Sequence, residues 1–187
     1  MNHNGMNHNA TTQTNAPVNH SAMDHSQMKS APDAASAPFD LQFIDTMIAH
    51  HQSAIDMANL AATNTNNAEL KKFAVQIFDD QTREINQMKD WREKWFAGAP
   101  SALNMEMPGM RESMRMEMTA LNTSRDKDFD AEFIRLMIPH HEGAVAMARE
   151  ALMKAEHAEI KALANQIIKA QEAEIKMLRD WQTEWAK

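Results

Sequence analysis

Two stretches of this chain set soft metal donors at the same spacing. Met47, His50 and His51 follow the order Met-x-x-His-His, with Met57 six residues on, and Met137, His140, His141 and Met147 repeat the pattern. Neutral imidazole nitrogen and thioether sulfur together suit a low-coordination site for Cu(I) or Ag(I), the ions that soft ligands select. At about 100° per residue two adjacent histidines on a helix cannot share a face. His51 and His141 fall in the middle of an apolar stripe, whereas His50 and His140 are expected at its rim, beside Met57 and Met147. For the inward pair a packing role competes with a metal role. Gln81 with Glu84, and Gln171 with Glu174, also lie on inward stripes, where they could satisfy a buried imidazole or orient it behind a metal.

Two further segments concentrate the same donors. Met105, Met107, Met110, Met114, Met116 and Met118 put six thioethers between the two motifs. Part of this run, Met110, Met114 and Met118 among it, shares one helical stripe and can pack, while Met105, Met107 and Met116 are expected as exposed thioethers. The N-terminal segment carries Met1, His3, Met6, His8, His20, Met23, His25 and Met28 in short steps. Core packing does not explain donors in so polar a segment, so metal capture competes only with biased composition. A free amine at Met1, two amide nitrogens and His3 would also form a square-planar Cu(II) site.

The elements that must hold these residues follow from a duplication. Residues 39–97 and 129–187 align without a gap at an offset of 90, with 24 of 59 positions identical, Trp91 with Trp181 and Trp95 with Trp185 among them. Ile44, Met47, Ile48, His51, Ile55 and Ala58 recur at three and four spacing and predict a helix over about 40–62, with Asp40 as its N-cap. Thr63 to Asn67 is turn chemistry, and Leu70, Phe73, Ala74, Ile77, Gln81, Met88 and Trp91 predict a second helix that stops before Gly98 and Pro100. The second copy predicts helices over about 130–155 and 159–185, with Pro139 expected to bend the first of them beside His140. Neither hairpin can bury its stripe alone, so the expected fold is all-α, a ferritin-like four-helix bundle made of two duplicated hairpins. The Met-rich connection, 98–128, would cross the bundle with a short helix over about 103–122. Residues 1–38, poor in large apolar side chains, are expected to form a disordered tail when free.

Composition narrows the function. A net charge of -7, with 19 Lys and Arg scattered among 26 acids, argues against a nucleic-acid partner. The absence of Cys excludes disulfides, thiolate-bound zinc and iron–sulfur clusters. Methionine, at 17, outnumbers leucine, at nine. Copper handling without thiolates suits an oxidising compartment. No apolar run is long enough for a membrane span, and the N-terminus lacks the pattern of a signal peptide.

The run Phe-Asp-Ala-Glu-Phe-Ile-Arg-Leu-Met-Ile-Pro-His-His-Glu-Gly-Ala-Val-Ala-Met-Ala, residues 129–148, resembles the signature of a ferritin-like bacterial family catalogued as a domain of unknown function. The resemblance covers both repeats. It implies a periplasmic or secreted copper binder that takes part in copper resistance, dealing with copper ions and other envelope copper-handling proteins. Met137, His140, His141 and Met147 carry it, with Met47, His50, His51 and Met57 in the first copy, where Ala49 replaces the proline. Two other classes stay in view. A di-iron or di-manganese oxidase built on Glu84, Glu174, His51 and His141 would need Glu-x-x-His motifs that this sequence lacks. A purely structural or partner-binding bundle would treat the methionines as packing.

Overall fold

The computed structural model describes residues 27–115 and 118–185. Four long helices carry the molecule: α1 (Phe39–Asn64), α2 (Ala68–Phe96), α5 (Asp126–Lys154) and α6 (Ala158–Trp185), with two short helices, α3 (Met110–Ser113) and α4 (Met118–Thr123), in the connection. The expected hairpins are therefore present, α1 against α2 and α5 against α6, and α1 packs on α5 to join them. Phe73 on α2 and Trp181 on α6 meet in a T-shaped contact, ring centroids 5.6 Å apart, and complete the four-helix arrangement. α5 runs through Pro139 as one element.

The helix ends follow local chemistry. Asn67 caps α2, its side-chain oxygen accepting from Glu69 N at 2.9 Å and Leu70 N at 3.2 Å, which satisfies two of the free donors of the first turn. Asp40 does not cap α1 as expected. Pro38 holds that position, and Asp40, in the first turn, sends its carboxylate across to the α5–α6 turn, where it accepts from Glu156 N at 3.0 Å and His157 N at 2.9 Å. A buried carboxylate that finds two backbone donors and the His157 ring outcompetes a local cap.

The connection also departs from expectation. It is not one helix over 103–122 but an extended strap followed by α3 and α4. α1 pins the strap residue by residue: Asp45 accepts from Ala102 N at 2.8 Å, Thr46 from Asn104 N at 2.9 Å, and Gln42 from the Asn104 amide at 2.8 Å. Because Met105 and Met107 sit on this strap and not on a helix, helical periodicity does not decide their direction. Both are buried, which corrects the expectation of exposed thioethers there. Residues 27–38 lie against the same strap, with Ala31 N donating to Leu103 O at 2.8 Å and Met105 N to Ser30 Oγ at 2.9 Å.

Two apolar clusters fill the bundle. Met47, Met88, Met105, Met107, Met110, Met114 and Met147 belong to one, with Met28 packed at its border. Met57, Met118 and Met137 belong to the other, with Phe129 and Phe133. Each motif is thus split, one methionine to each cluster. The histidines lie in the polar layer where α1 meets α5.

Candidate metal centre

His50 on α1 and His140 on α5 face each other at the centre of the bundle, ring centroids 3.8 Å apart and planes tilted by 32°. Both are fully buried, so the rim position expected from the helical wheel is wrong. The wheel counts one apolar stripe, but a bundle helix has two buried neighbours. His51 points to the partner helix of its own hairpin, and His50, 100° away, points to the other hairpin.

The second pair meets the expected partners. His51 Nε2 and Glu84 Oε2 are 2.6 Å apart, and His141 Nε2 and Glu174 Oε2 are 2.8 Å apart, although the second contact is too far off line for a good hydrogen bond. Gln81 and Gln171 do not join them: both are buried, and the carbonyl oxygen of each amide is without a hydrogen-bond partner.

Two serines touch the central pair. Ser53 Oγ lies 2.7 Å from His140 Nε2, and Ser113 Oγ lies 3.1 Å from His50 Nε2. The duplication explains Ser53, whose counterpart at the offset of 90 is Gly143. A side chain at Gly143 would collide with Ser113, a Cβ there falling 2.5 Å from Ser113 Cβ and Oγ. Ser113, carried by α3, therefore occupies the space that a serine at 143 would fill, and the connection restores the twofold that the glycine breaks. Gly109 makes the approach possible, with a left-handed φ of 78° and a Cβ position only 2.7 Å from Gly143 Cα.

The charge state of the pair is set by its surroundings. Burial pushes the His50 and His140 pKa values well below the ordinary imidazole value, and the neighbouring imidazoles push in the same direction. Both rings are neutral at pH 7, with one N–H each. Ser53 donates to His50 O at 2.9 Å and Ser113 to Met110 O at 3.0 Å, so each hydroxyl oxygen is free to accept from an Nε2–H. Neither Nδ1 has a hydrogen-bond partner, and the backbone of each histidine partly opposes the fall in the other's pKa. A thioether is close by: Met114 Sδ lies 3.4 Å from Ser53 Oγ.

Of the residues singled out in the sequence, Met47, Met57, Met137 and Met147 are fully buried on either side of this layer, and Met110, Met114 and Met118 are buried against it or below it. His3, Met6, His8, His20, Met23, His25 and Met116 lie outside the described residues. Sequence reasoning missed Ser53 and Ser113. The unlike pair Ser53 and Gly143 inside an otherwise matched motif is the signal that could have exposed them. Among the described residues, no three His, Asp or Glu side chains converge as a carboxylate-type metal site requires. Donors here come as imidazole and thioether.

Two helical hairpins related by duplication, meeting at a buried pair of neutral histidines with thioethers around them, define the class. The chain belongs to the family described as "Domain of unknown function (DUF305)", whose model matches residues 1–92 and 40–182. Among solved structures it is similar to CopM in the Cu(I)-bound form, at 40% identity and a TM-score of 0.67, over 79% of this chain and 98% of that one. CopM in the Cu(II)-bound form matches at 44% identity and a TM-score of 0.68, over 78% and 97%. A putative secreted DUF305 protein from Streptomyces coelicolor matches at 27% identity and a TM-score of 0.70, over 80% and 94%. The comparison with curated proteins returned no match.

Proposed function

We propose that this protein binds copper, holding Cu(I) through imidazole and thioether donors, and that it buffers or passes on the ion in the periplasm or outside the cell as part of copper resistance. The observation that carries this reading is the His50–His140 pair: two neutral imidazoles buried with ring centroids 3.8 Å apart, each with an Nδ1 that has no hydrogen-bond partner, and a Met114 thioether in contact with the Ser53 hydroxyl that touches His140. A buried ring nitrogen without a partner is costly unless something takes it, and Cu(I) is the ion this donor set favours. The structures of CopM with Cu(I), Cu(II) and Ag support the same ion class for this chain, and the secreted relative supports the compartment. We assign it no catalytic role. His51 and His141, tied to Glu84 and Glu174, orient the layer, and the methionines of the connection and the histidines and methionines of residues 1–28 supply further capture sites.

An anaerobic Cu(I) titration of the full chain against a competing chelator tests this. The wild type competes and binds several ions. His50→Asn with His140→Asn removes the core site, and Leu in place of the tail and connection methionines removes most of the remainder. A wild type that does not compete for Cu(I) would overturn the copper reading.

A further inference from the structure

The duplication sets the same positions at both ends of the bundle, and the two copies differ at two of them. At the first end Asp40 spends both carboxylate oxygens on the α5–α6 turn and accepts from the His157 ring Nδ1 at 2.6 Å. That imidazole lies flat on Trp95, centroids 3.8 Å apart and planes 14° apart, with Trp91 stacked beyond at 5.4 Å and the edge of Phe96 closing the side. The offset of 90 carries this set onto Asp130, Asn67, Trp185, Trp181 and Ala186. Trp181 and Trp185 stack in the same way, 4.7 Å and 15° apart. Asn67 replaces the histidine, however, and Ala186 replaces the phenylalanine, so no ring of this kind is supplied.

A cavity of about 730 Å³ lies at this second end, bordered by Asn66, Asn67, Asp126, Asp130, Glu184 and Trp185. Asp130 is only 7% exposed, yet its Oδ1 has no hydrogen-bond partner. Burial raises its pKa, with the Asp126 carboxylate adding to the shift and hydrogen bonds from Thr65 and Asn67 opposing it. The cations on the border are Lys127 and Arg135, and Arg135 is held by Glu132 at 2.6 Å. A metal does not fit this set, since no three carboxylates among the described residues converge. What the first end places in the equivalent position is a flat ring whose N–H meets the aspartate.

We propose that this cavity binds a planar, N–H-bearing cation, an imidazolium or guanidinium group, which lies on the face of Trp185 and donates to Asp130 as the His157 ring donates to Asp40. An aromatic face favours such a cation, and a flat one stacks where a round ammonium cannot. A carboxylate with an unused oxygen supplies the charge-assisted bond. The group could be a free small molecule or a His or Arg side chain presented by a polypeptide. The inference does not rest on the copper reading, because none of the residues proposed to hold copper lines the cavity.

The test follows the Trp185 indole N–H by NMR in the full, metal-free chain, titrated with methylguanidinium, with imidazole below about pH 6.5 where the ring is charged, and with butylammonium. A saturable shift with the two flat cations is expected, with butylammonium weaker by roughly tenfold, a difference of about 1.4 kcal/mol. Asp130→Asn, which keeps the shape and the neutral hydrogen bonds, weakens binding by a similar factor. Asn67→His gives the chain its own ring and abolishes binding. A short His- or Arg-bearing peptide that binds more tightly than the free cation identifies the source as a polypeptide side chain, and equal affinity identifies a small molecule. A shift that never saturates, or one unchanged in Asp130→Asn and Asn67→His, overturns the proposal.

Discussion

Keeping two imidazoles neutral and fully buried has a thermodynamic consequence at His50 and His140. The folded state holds their pKa values well below the ordinary imidazole value, so in acid the unfolded chain takes up protons that the folded chain does not. Stability is then full above the unfolded value and falls as pH drops below about 6.5, by at most about 1.4 kcal/mol per pH unit for each ring. Urea midpoints of the metal-free protein between about pH 7.5 and pH 5.5 should fall with pH, and His50→Asn with His140→Asn should flatten the slope. A wild-type midpoint that holds steady across that range would contradict neutral burial. The sequence sets Glu84 opposite His51 and Glu174 opposite His141, as the structure does, since three and four spacing is local. It misplaces His50 and His140 because the second buried face of a bundle helix depends on the other hairpin, which no periodicity within one helix reports.

At the scale of elements, α3 is held by the fit of Ser113 against Gly143. Alanine in place of a helical glycine usually stabilises by about 1 kcal/mol. Here its Cβ would fall 2.5 Å from Ser113, and overpacking of that kind costs about 1–3 kcal/mol. Gly143→Ala should therefore destabilise, and adding Ser113→Gly should recover part of the loss, the Gly109 carbonyl oxygen still lying 2.8 Å from the new Cβ, so the two changes couple in a double-mutant cycle of urea unfolding. Simple additivity would mean that α3 is not seated on the glycine. The Asp40 clamp makes a second prediction. Asp40→Ala leaves Glu156 N, His157 N and the His157 ring without their acceptor, and should cost about 2–3 kcal/mol in the same measurement. The long helices were legible because their stripes and turn residues repeat in both copies. The connection was not, because its backbone is fixed by Gln42, Asp45 and Thr46, residues on another element far away in the chain.

For the whole molecule, the offset of 90 was the most informative feature of the sequence, since it yields the two hairpins and their equivalence. It also locates the exceptions, Ser53 against Gly143 and His157 against Asn67, which only the packed structure turns into a plugged hole and an open cavity. If copper binds the folded state alone, free Cu(I) at about a thousand times Kd adds about 4 kcal/mol, which for a chain of this size raises Tm by roughly 10 °C. Anaerobic calorimetry with and without Cu(I) checks this, and an unmoved transition would argue for a bundle indifferent to the metal. The origin of the two serines carries a further consequence. Ser53 belongs to α1, a helix of 26 residues, whereas Ser113 belongs to α3, which has four. Short elements open more often than long packed ones. Two rings that descend from one ancestor are thus on different clocks: the nitrogen of His50 is released whenever α3 lifts, and that of His140 only when the bundle itself comes apart.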